Sequence, residues 1–426
     1  MITGRSSERN GDLAGAPAAR ASLRNVPSTL AATAVCVYLV GFALPFRWDL
    51  PLMVLAVSAF GIALGSGGEW VQSSPLTSYV LLFLASTAIS LLLSDDVARS
   101  WALGVPLLAA MLLFLVVSGQ LSGWHEISVI YGAFGAVTLG LAIVAVWQAV
   151  HHIGVEPAEI VSRIGSPILL VPNDIALLAV VAPLSLSIVH SAKRDVTRLV
   201  AFSSIVASAC AIVLLESRVA TLAFMGSLGC AAMLLNGRRG TVIVLAVAIV
   251  MLTVDAVCGF PLLRKFAALQ DARVALWLTA VAMFRDAPIL GHGPRTFGLL
   301  HGRYAATIEL PPGLPVDTRI VPWAHNLYLE MLAEQGLVGL VTLVALLTAA
   351  VMIAWRTFRT SATEARSLAA GALAALLGIA GAGLVELSFV RQWVVVTAFT
   401  LFGVVARLSS LPQSPSVQPP PPEVHR

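Results

Sequence analysis

Charge is what this sequence has least of. Asp, Glu, Lys and Arg make up 11% of its 426 residues, against roughly 25% in ordinary soluble domains. A deficit this large, over a chain this long, argues against a soluble fold and points to lipid as the solvent. Lysine is almost missing, with Lys193 and Lys265 alone among 26 basic residues. The arginines are scattered over connections and form no stripe interleaved with aromatics. The net charge of +4 therefore does not indicate a nucleic-acid partner. Cysteine is equally sparse: Cys36, Cys210, Cys230 and Cys258 all lie in apolar runs. With no C-x-x-C pair they read as small packing residues, not a disulfide framework or a thiolate metal site. No H-E-x-x-H or D-x-D occurs, and the adjacent His151 and His152 cannot both face one ion from a regular helix. No metal site is expected, and no internal repeat is seen.

What the chain has in abundance is apolar sequence, at 58% with a mean hydropathy of +0.90. The runs are continuous and about 17–24 residues long, enough to cross a hydrocarbon core of about 30 Å. Only helices and closed barrels satisfy their backbone in lipid, and barrel strands would alternate apolar and polar residues over shorter segments. The expected fold is an all-α polytopic membrane protein of about twelve spans. They fall near 29–46, 50–65, 76–93, 101–118, 127–150, 168–190, 198–215, 219–235, 241–260, 324–354, 368–388 and 392–408. Residues 1–28 read as a disordered cytoplasmic tail, 29–260 as the first nine spans, and 261–323 as a long loop. Residues 324–408 make the last three spans, and 409–426 a disordered proline-rich tail. The first apolar run is too long for a cleaved signal and reads as an uncleaved span.

Orientation follows from the basic residues. With both termini in the cytoplasm, inside segments hold fourteen of the 26, short outside loops hold five (Arg47, Arg99, Arg163, Arg218 and Arg391), and the 261–323 loop holds the rest. That loop is then periplasmic, and its excess of basic over acidic groups suits an anionic partner. Within it, Asp271 to Arg285 has helical periodicity, with Val274, Leu278 and Val281 in register. Residues 286–323, rich in Gly and Pro, read as irregular.

Several residues in and around the loop have chemical potential. His325 follows Pro322-Trp323-Ala324, and a helix beginning near Ala324 puts it in a first turn. A helix N-terminus disfavours imidazolium, so a neutral ring able to accept a proton is expected. An interfacial histidine packed under Trp323 is the plainer reading of the same residues. Arg218, after Glu216-Ser217, has the planar fork that suits phosphate; a snorkelling arginine paired with Glu216 is the alternative. Arg273 is either a second anion contact or half of a surface ion pair with Asp271 or another loop acid. Gly291-His292-Gly293-Pro294-Arg295 lacks the spacing and preceding strand of a nucleotide loop. It reads as a tight turn permitting close backbone approach, with Arg295 a further anion contact. Asp174, Asp255 and Glu386 are notable as acids within apolar runs.

Four motifs, in order, carry a resemblance: Pro172-Asn173-x-x-Ala176; Ser217-Arg218-x-Ala220; Arg273-x-x-x-Trp277 running on to Pro288-x-x-Gly291-x-Gly293-x-x-x-Phe297; and Ala324-His325-Asn326-x-Tyr328-Leu329-x-x-x-x-Glu334-x-Gly336-x-x-Gly339. Together with the span pattern they resemble the O-antigen ligase/polymerase superfamily, though Val219 stands where a small residue often follows the arginine. The resemblance implies a GT-C-like, metal-independent membrane glycosyltransferase of the bacterial inner membrane, without cofactor and with a periplasmic active site. The donor it implies is a glycan on undecaprenyl pyrophosphate. The acceptor is the lipid A-core in a ligase, or another lipid-linked glycan in a polymerase of O-antigen, capsule or exopolysaccharide. Carried over, Arg218 and Arg273 hold the diphosphate and His325 is the base, with Arg295, Arg303, Asn326 and Asn173 as further substrate contacts. A ligase is the first expectation and a polymerase the second. A flippase or other transporter of lipid-linked oligosaccharide is the non-enzymatic alternative, and it predicts charges deep along a central path.

Overall fold

The structure is a computed structural model that describes residues 16–43, 49–65, 74–151, 179–260, 262–264, 273–310, 312 and 323–411. Among these, every regular element is helical. The first six helices are α1 (Ala16–Ala43), α2 (Asp49–Gly65), α3 (Pro75–Leu92), the short α4 (Val97–Trp101), α5 (Gly104–Gln120) and α6 (Trp124–His151). After a 3₁₀ turn at Ala179–Val181 come α7 (Ala182–Ser191), α8 (Asp195–Leu214), α9 (Arg218–Asn236) and α10 (Arg238–Val257). Two loop helices follow, α11 (Arg273–Asp286) and α12 (Phe297–Ala305). The chain closes with α13 (Leu327–Thr360), α14 (Thr363–Gly383) and α15 (Gln392–Ser410).

Nine of the described helices are long and apolar enough to cross a membrane, and three shorter apolar ones lie at Pro27–Gly41, Pro51–Gly61 and Ala179–Ser191. Each stands where a span is expected. Asn173 and Asp174 lie outside the described residues. α1 begins well before the expected residue 29 because Ala16, Ala18, Ala19 and Ala21 favour helix over coil. The eleventh helix to be expected as a span ends earlier than foreseen, at Gly383 instead of 388. This puts Glu386 in the connection to α15, not on the helix.

α14 and α15 are buried along most of their length, while α10 is mostly exposed. The centre of the bundle is therefore α14 and α15, with α13, α3 and α5 packed against them and α10 at the rim. Apolar packing gives little net drive between helices in lipid, so small residues and hydroxyl pairs take over the contact. Ser86 meets Thr342 across α3 and α13 at 2.9 Å, and Ser204 donates to Ser185 across α8 and α7 at 2.8 Å. The Tyr131 hydroxyl donates to the Leu368 carbonyl at 2.8 Å, tying α6 to α14.

The loop has its own small core, in which Leu276, Ala280 and Met283 of α11 meet Phe297 and Tyr304 of α12 and Ala333 of α13. Two expectations are corrected here. α11 buries Ala275, Leu276, Thr279, Ala280 and Met283, not the face through Val274, Leu278 and Val281, because its neighbours are the first turns of α13 and α12. The 286–323 stretch is also not wholly irregular. Phe297, Leu300 and Tyr304 repeat at helical spacing and fold α12 onto that core.

Candidate active site

The loop is joined to the membrane helices through a break in α13. Gly336 sits at φ 64, ψ −163, a left-handed conformation that only glycine adopts without strain. The break releases the carbonyls of Ala333 and Glu334 and the amides of Leu337 and Val338 from the i→i−4 ladder. The 288–293 turn takes up all four. His292 N donates to Ala333 O (3.2 Å) and Gly293 N to Glu334 O (2.7 Å). Leu337 N donates to Pro288 O (2.9 Å) and Val338 N to Ile289 O (3.2 Å). A Cβ on Gly291 would collide with the Glu334–Gln335 backbone, and one on Gly336 with Ile289. The close backbone approach expected of the Gly291/Gly293 turn is therefore real, and its partner is a helix break.

Beside this joint, the Glu334 side chain accepts from Arg295 N (2.8 Å) and Phe297 N (2.9 Å), which ties the start of α12 to α13. His292 is buried; its Nδ1 lies 2.6 Å from Asp95 Oδ2 and its Nε2 3.1 Å from Met283 O. The Tyr304 hydroxyl donates to Asp286 at 2.5 Å, and burial and that bond together push the phenol up to about 12.

His325 lies just outside the helix, not in its first turn as expected. Asn326 is the N-cap, with Oδ1 accepting from Tyr328 N and Leu329 N, both at 3.0 Å. Its Nδ2 donates to Leu384 O at 2.7 Å. Asn326, expected among the substrate contacts, thus fastens the start of α13 to the end of α14. His325 takes φ 52, a conformation that costs a non-glycine residue of the order of 1 kcal/mol or more. Cap and ring contacts hold it there: the Trp323 ring centroid is 5.4 Å away.

At the centre is Glu386, 1% exposed. Its Oε2 accepts from Arg273 Nη2 at 2.5 Å. Its Oε1 accepts from Arg391 Nη2 at 2.9 Å and lies 3.0 Å from His325 Nδ1. Burial by itself would raise this carboxyl, but the His325 hydrogen bond and the charges of His325, Arg391 and Arg273 prevail and hold it below the usual carboxylate range. An ionised carboxylate only accepts, so Nδ1 carries a hydrogen and Nε2 is the ring nitrogen turned away from Glu386. The carboxylate, not a helix dipole, therefore fixes which ring nitrogen faces inward. The Arg391 guanidinium carbon lies 4.3 Å from the Trp323 ring centroid, a cation–π contact. Ser388 donates to the buried Glu330 of α13 at 2.6 Å, fixing the same connection from the other side.

Arg218 opens α9, half-buried, one residue after its cap Ser217. Its neighbour Val219 lines the same groove as Val385, so it stands at the end of the bundle that holds Glu386. Arg295 sits apart from that cluster: its Nη1 donates to Ala102 O at 3.4 Å, while Arg99 Nε donates to its carbonyl at 2.9 Å. Arg303 lies over Tyr304 on a cleft that includes Arg285, Asp286 and Glu309. Arg273 was weighed above against a pairing with a loop acid; its acid is in fact Glu386, 113 positions away. Sequence reasoning noted Glu386 only as an acid in an apolar run, and counted Arg391 only as a loop charge. The signal available was that a buried carboxylate requires cations, and Arg391 was five residues on.

One comparison bears on the identity of this arrangement. A family model described as O-Antigen ligase matches residues 202–344. This supports the O-antigen ligase/polymerase superfamily. The match runs from α8 through both loop helices and past the break in α13, about a third of the chain. It takes in Arg218, Arg273 and His325 and stops short of Glu386 and Arg391. No curated protein matches the chain. The matched family is one of O-antigen ligases, and the described residues include nine helices long and apolar enough to cross a membrane.

Proposed function

We propose that the protein is an O-antigen ligase-type glycosyltransferase of the bacterial inner membrane. It moves a glycan from undecaprenyl pyrophosphate to a sugar hydroxyl of lipid A-core at the periplasmic face. The observation that carries this reading is the Glu386 cluster, which draws Arg273 and His325 together from distant segments at the loop end of the bundle. Two guanidiniums, Arg273 and Arg391, gather on that carboxylate, and Arg218 adds a third basic group at the same end of the bundle.

The chemistry follows from charge. As the sugar C1–O bond to the diphosphate breaks, negative charge grows on the leaving group, and fixed guanidiniums at a partly desolvated surface stabilise it. Arg273 and Arg218 take this part. The acceptor oxygen attacks C1 from the opposite side and passes its proton to His325 Nε2, while Nδ1–H stays on Glu386. Asn326 and Glu330 keep His325 and the Glu386 connection in place. Arg295, Arg303 and Asn173 are proposed as further contacts to the glycan.

The test is transfer by purified protein given lipid-linked donor and lipid A-core acceptor, with and without the histidine. Transfer that survives His325→Ala would remove the base assignment. Gel analysis of lipopolysaccharide from a deletion strain separates the acceptors. Bare core with free lipid-linked polymer supports the ligase. Core capped by single repeats makes it a polymerase of O-antigen, and lost exopolysaccharide with normal lipopolysaccharide makes it an exopolysaccharide polymerase. A well-folded sample with no transfer at all points to a transporter.

A further inference from the structure

The 292–295 turn is held from outside the loop by the connection between α3 and α4. Asp95 N and Ser94 Oγ both donate to His292 O, at 3.0 and 3.1 Å. Ser100 Oγ donates to Pro294 O at 2.7 Å, and Arg99 Nε to Arg295 O at 2.9 Å. A Cβ on Gly293 would overlap Ser94. In the middle of this contact the His292 side chain, 7% exposed, bridges Asp95 to Met283 of α11 and Tyr304 of α12. Both ring nitrogens face acceptors. Nδ1 lies 2.6 Å from Asp95 Oδ2, and Nε2 lies 3.1 Å from the Met283 carbonyl. The Tyr304 hydroxyl, 3.3 Å from Nε2, gives its hydrogen to Asp286, so it too turns a lone pair to the ring.

A neutral imidazole has one N–H and one lone pair. It satisfies Asp95 or Met283 and sets a lone pair against the other, where burial keeps water from taking over. The full set of contacts therefore needs one proton more than a neutral ring and a carboxylate hold between them, wherever along the 2.6 Å contact that proton sits. The other charged groups around the ring have partners of their own. Asp286 of α11 and Tyr304 of α12 bond each other, Arg303 lies over the Tyr304 ring, and Arg285 lines the cleft beyond them. Asp96 caps α4, Arg99 is bonded to Arg295 O, and Glu334 of α13 accepts from Arg295 N and Phe297 N. We propose that His292 and Asp95 form a pH-operated clamp: one shared proton locks the loop onto the α3–α4 connection, and its loss releases the 292–295 turn. The sign follows from linkage. The clamped state binds the extra proton, so clamping strengthens as pH falls and loosens as pH rises between about 5 and 8, where imidazoles change charge. The same turn fills the break in α13, so its release reaches the helix that carries the Asn326 cap. The clamp stands apart from the transferase reading, since it needs neither donor nor acceptor.

The experiment is amide hydrogen exchange on the full chain in nanodiscs of phosphatidylethanolamine and phosphatidylglycerol. It runs from about pH 5.5 to about 8.5, spanning the imidazole range, with each rate divided by the intrinsic exchange rate at that pH. Peptides covering 286–305 are expected to lose about tenfold or more of their protection as pH rises, the equivalent of about 1.4 kcal/mol, while peptides of α14 stay level. His292→Gln has no ring to take up the proton, and is expected to be weakly protected and flat with pH. Asp95→Asn separates a proton-operated clamp from a histidine that only fills space. Its side-chain amide donates to Nδ1 and a neutral ring keeps Nε2–H on Met283 O, so the turn should stay protected to the alkaline end. Level protection in the wild-type protein overturns the proposal whatever the variants do. A wild-type loss that persists with the same slope in either folded variant overturns it as well.

Discussion

Glu386 decides the behaviour of the site residue by residue. A buried carboxylate is tolerated only while its guanidiniums neutralise it, and breaking a buried ion pair so that one charge is left uncompensated typically costs about 3–5 kcal/mol. Glu386→Ala is therefore expected to lower the Tm sharply and abolish transfer. Glu386→Gln keeps the shape but offers one carbonyl oxygen where two carboxylate oxygens stood, and it frees the His325 tautomer. The pH dependence has a definite sign. The folded carboxyl titrates below its unfolded value, so its contribution is complete above the ordinary carboxylate range and is lost as pH falls through the depressed value. A Tm-against-pH series should show an acid-side decline that flattens in Glu386→Gln; parallel curves would remove the cluster from the stability of the fold. His325→Ala should behave differently, costing about a hundredfold or more in transfer rate with little change in Tm, since Arg273 and Arg391 still neutralise the carboxylate. Steady-state kinetics beside a melting curve check both halves of that statement.

At the scale of elements, the joint between the 288–293 turn and the break in α13 determines where the loop sits. Four backbone groups change partners there, and an unpaired buried amide or carbonyl costs about 1–3 kcal/mol. Gly336→Ala introduces a Cβ against Ile289 at a positive φ, and is expected to destabilise by about 2–4 kcal/mol. The same variant should expose the α11–α12 region to limited proteolysis while the membrane helices stay protected. Unchanged proteolysis would mean that the loop is held by other contacts. Asn326→Ala removes a cap worth about 1 kcal/mol and the tie to Leu384. It should reduce transfer more than its stability loss explains, because His325 is the residue that the cap orients. The helices themselves were largely legible: twelve apolar runs were seen, and each has a helical counterpart among the described residues. Their ends were less so. The start of α1 was set by alanine, the end of α14 fell before Glu386, and α12 was hidden in a stretch whose glycines and prolines argued for irregular chain.

For the whole molecule, the orientation read from arginine placement has a direct test. With the native cysteines replaced, a cysteine at Gly302 in α12 should react with a membrane-impermeant maleimide added outside spheroplasts. One at Ala362, in the α13–α14 connection, should react only after permeabilisation. The opposite pattern would put the Glu386 cluster in the cytosol and end the periplasmic reading. Composition and periodicity alone determined that the chain is helical and membrane-embedded, because hydrocarbon length and backbone satisfaction act on every run locally. Arg273 and His325 were picked out by short motifs readable along the chain, and the roles given to them rest on the resemblance those motifs carry. Only the tertiary structure showed that both converge on Glu386, that Arg391 completes the group, and that the glycine motifs lock a turn into a broken helix. Those pairings join segments tens to hundreds of residues apart, and a linear sequence carries no distance between segments until the helices have packed.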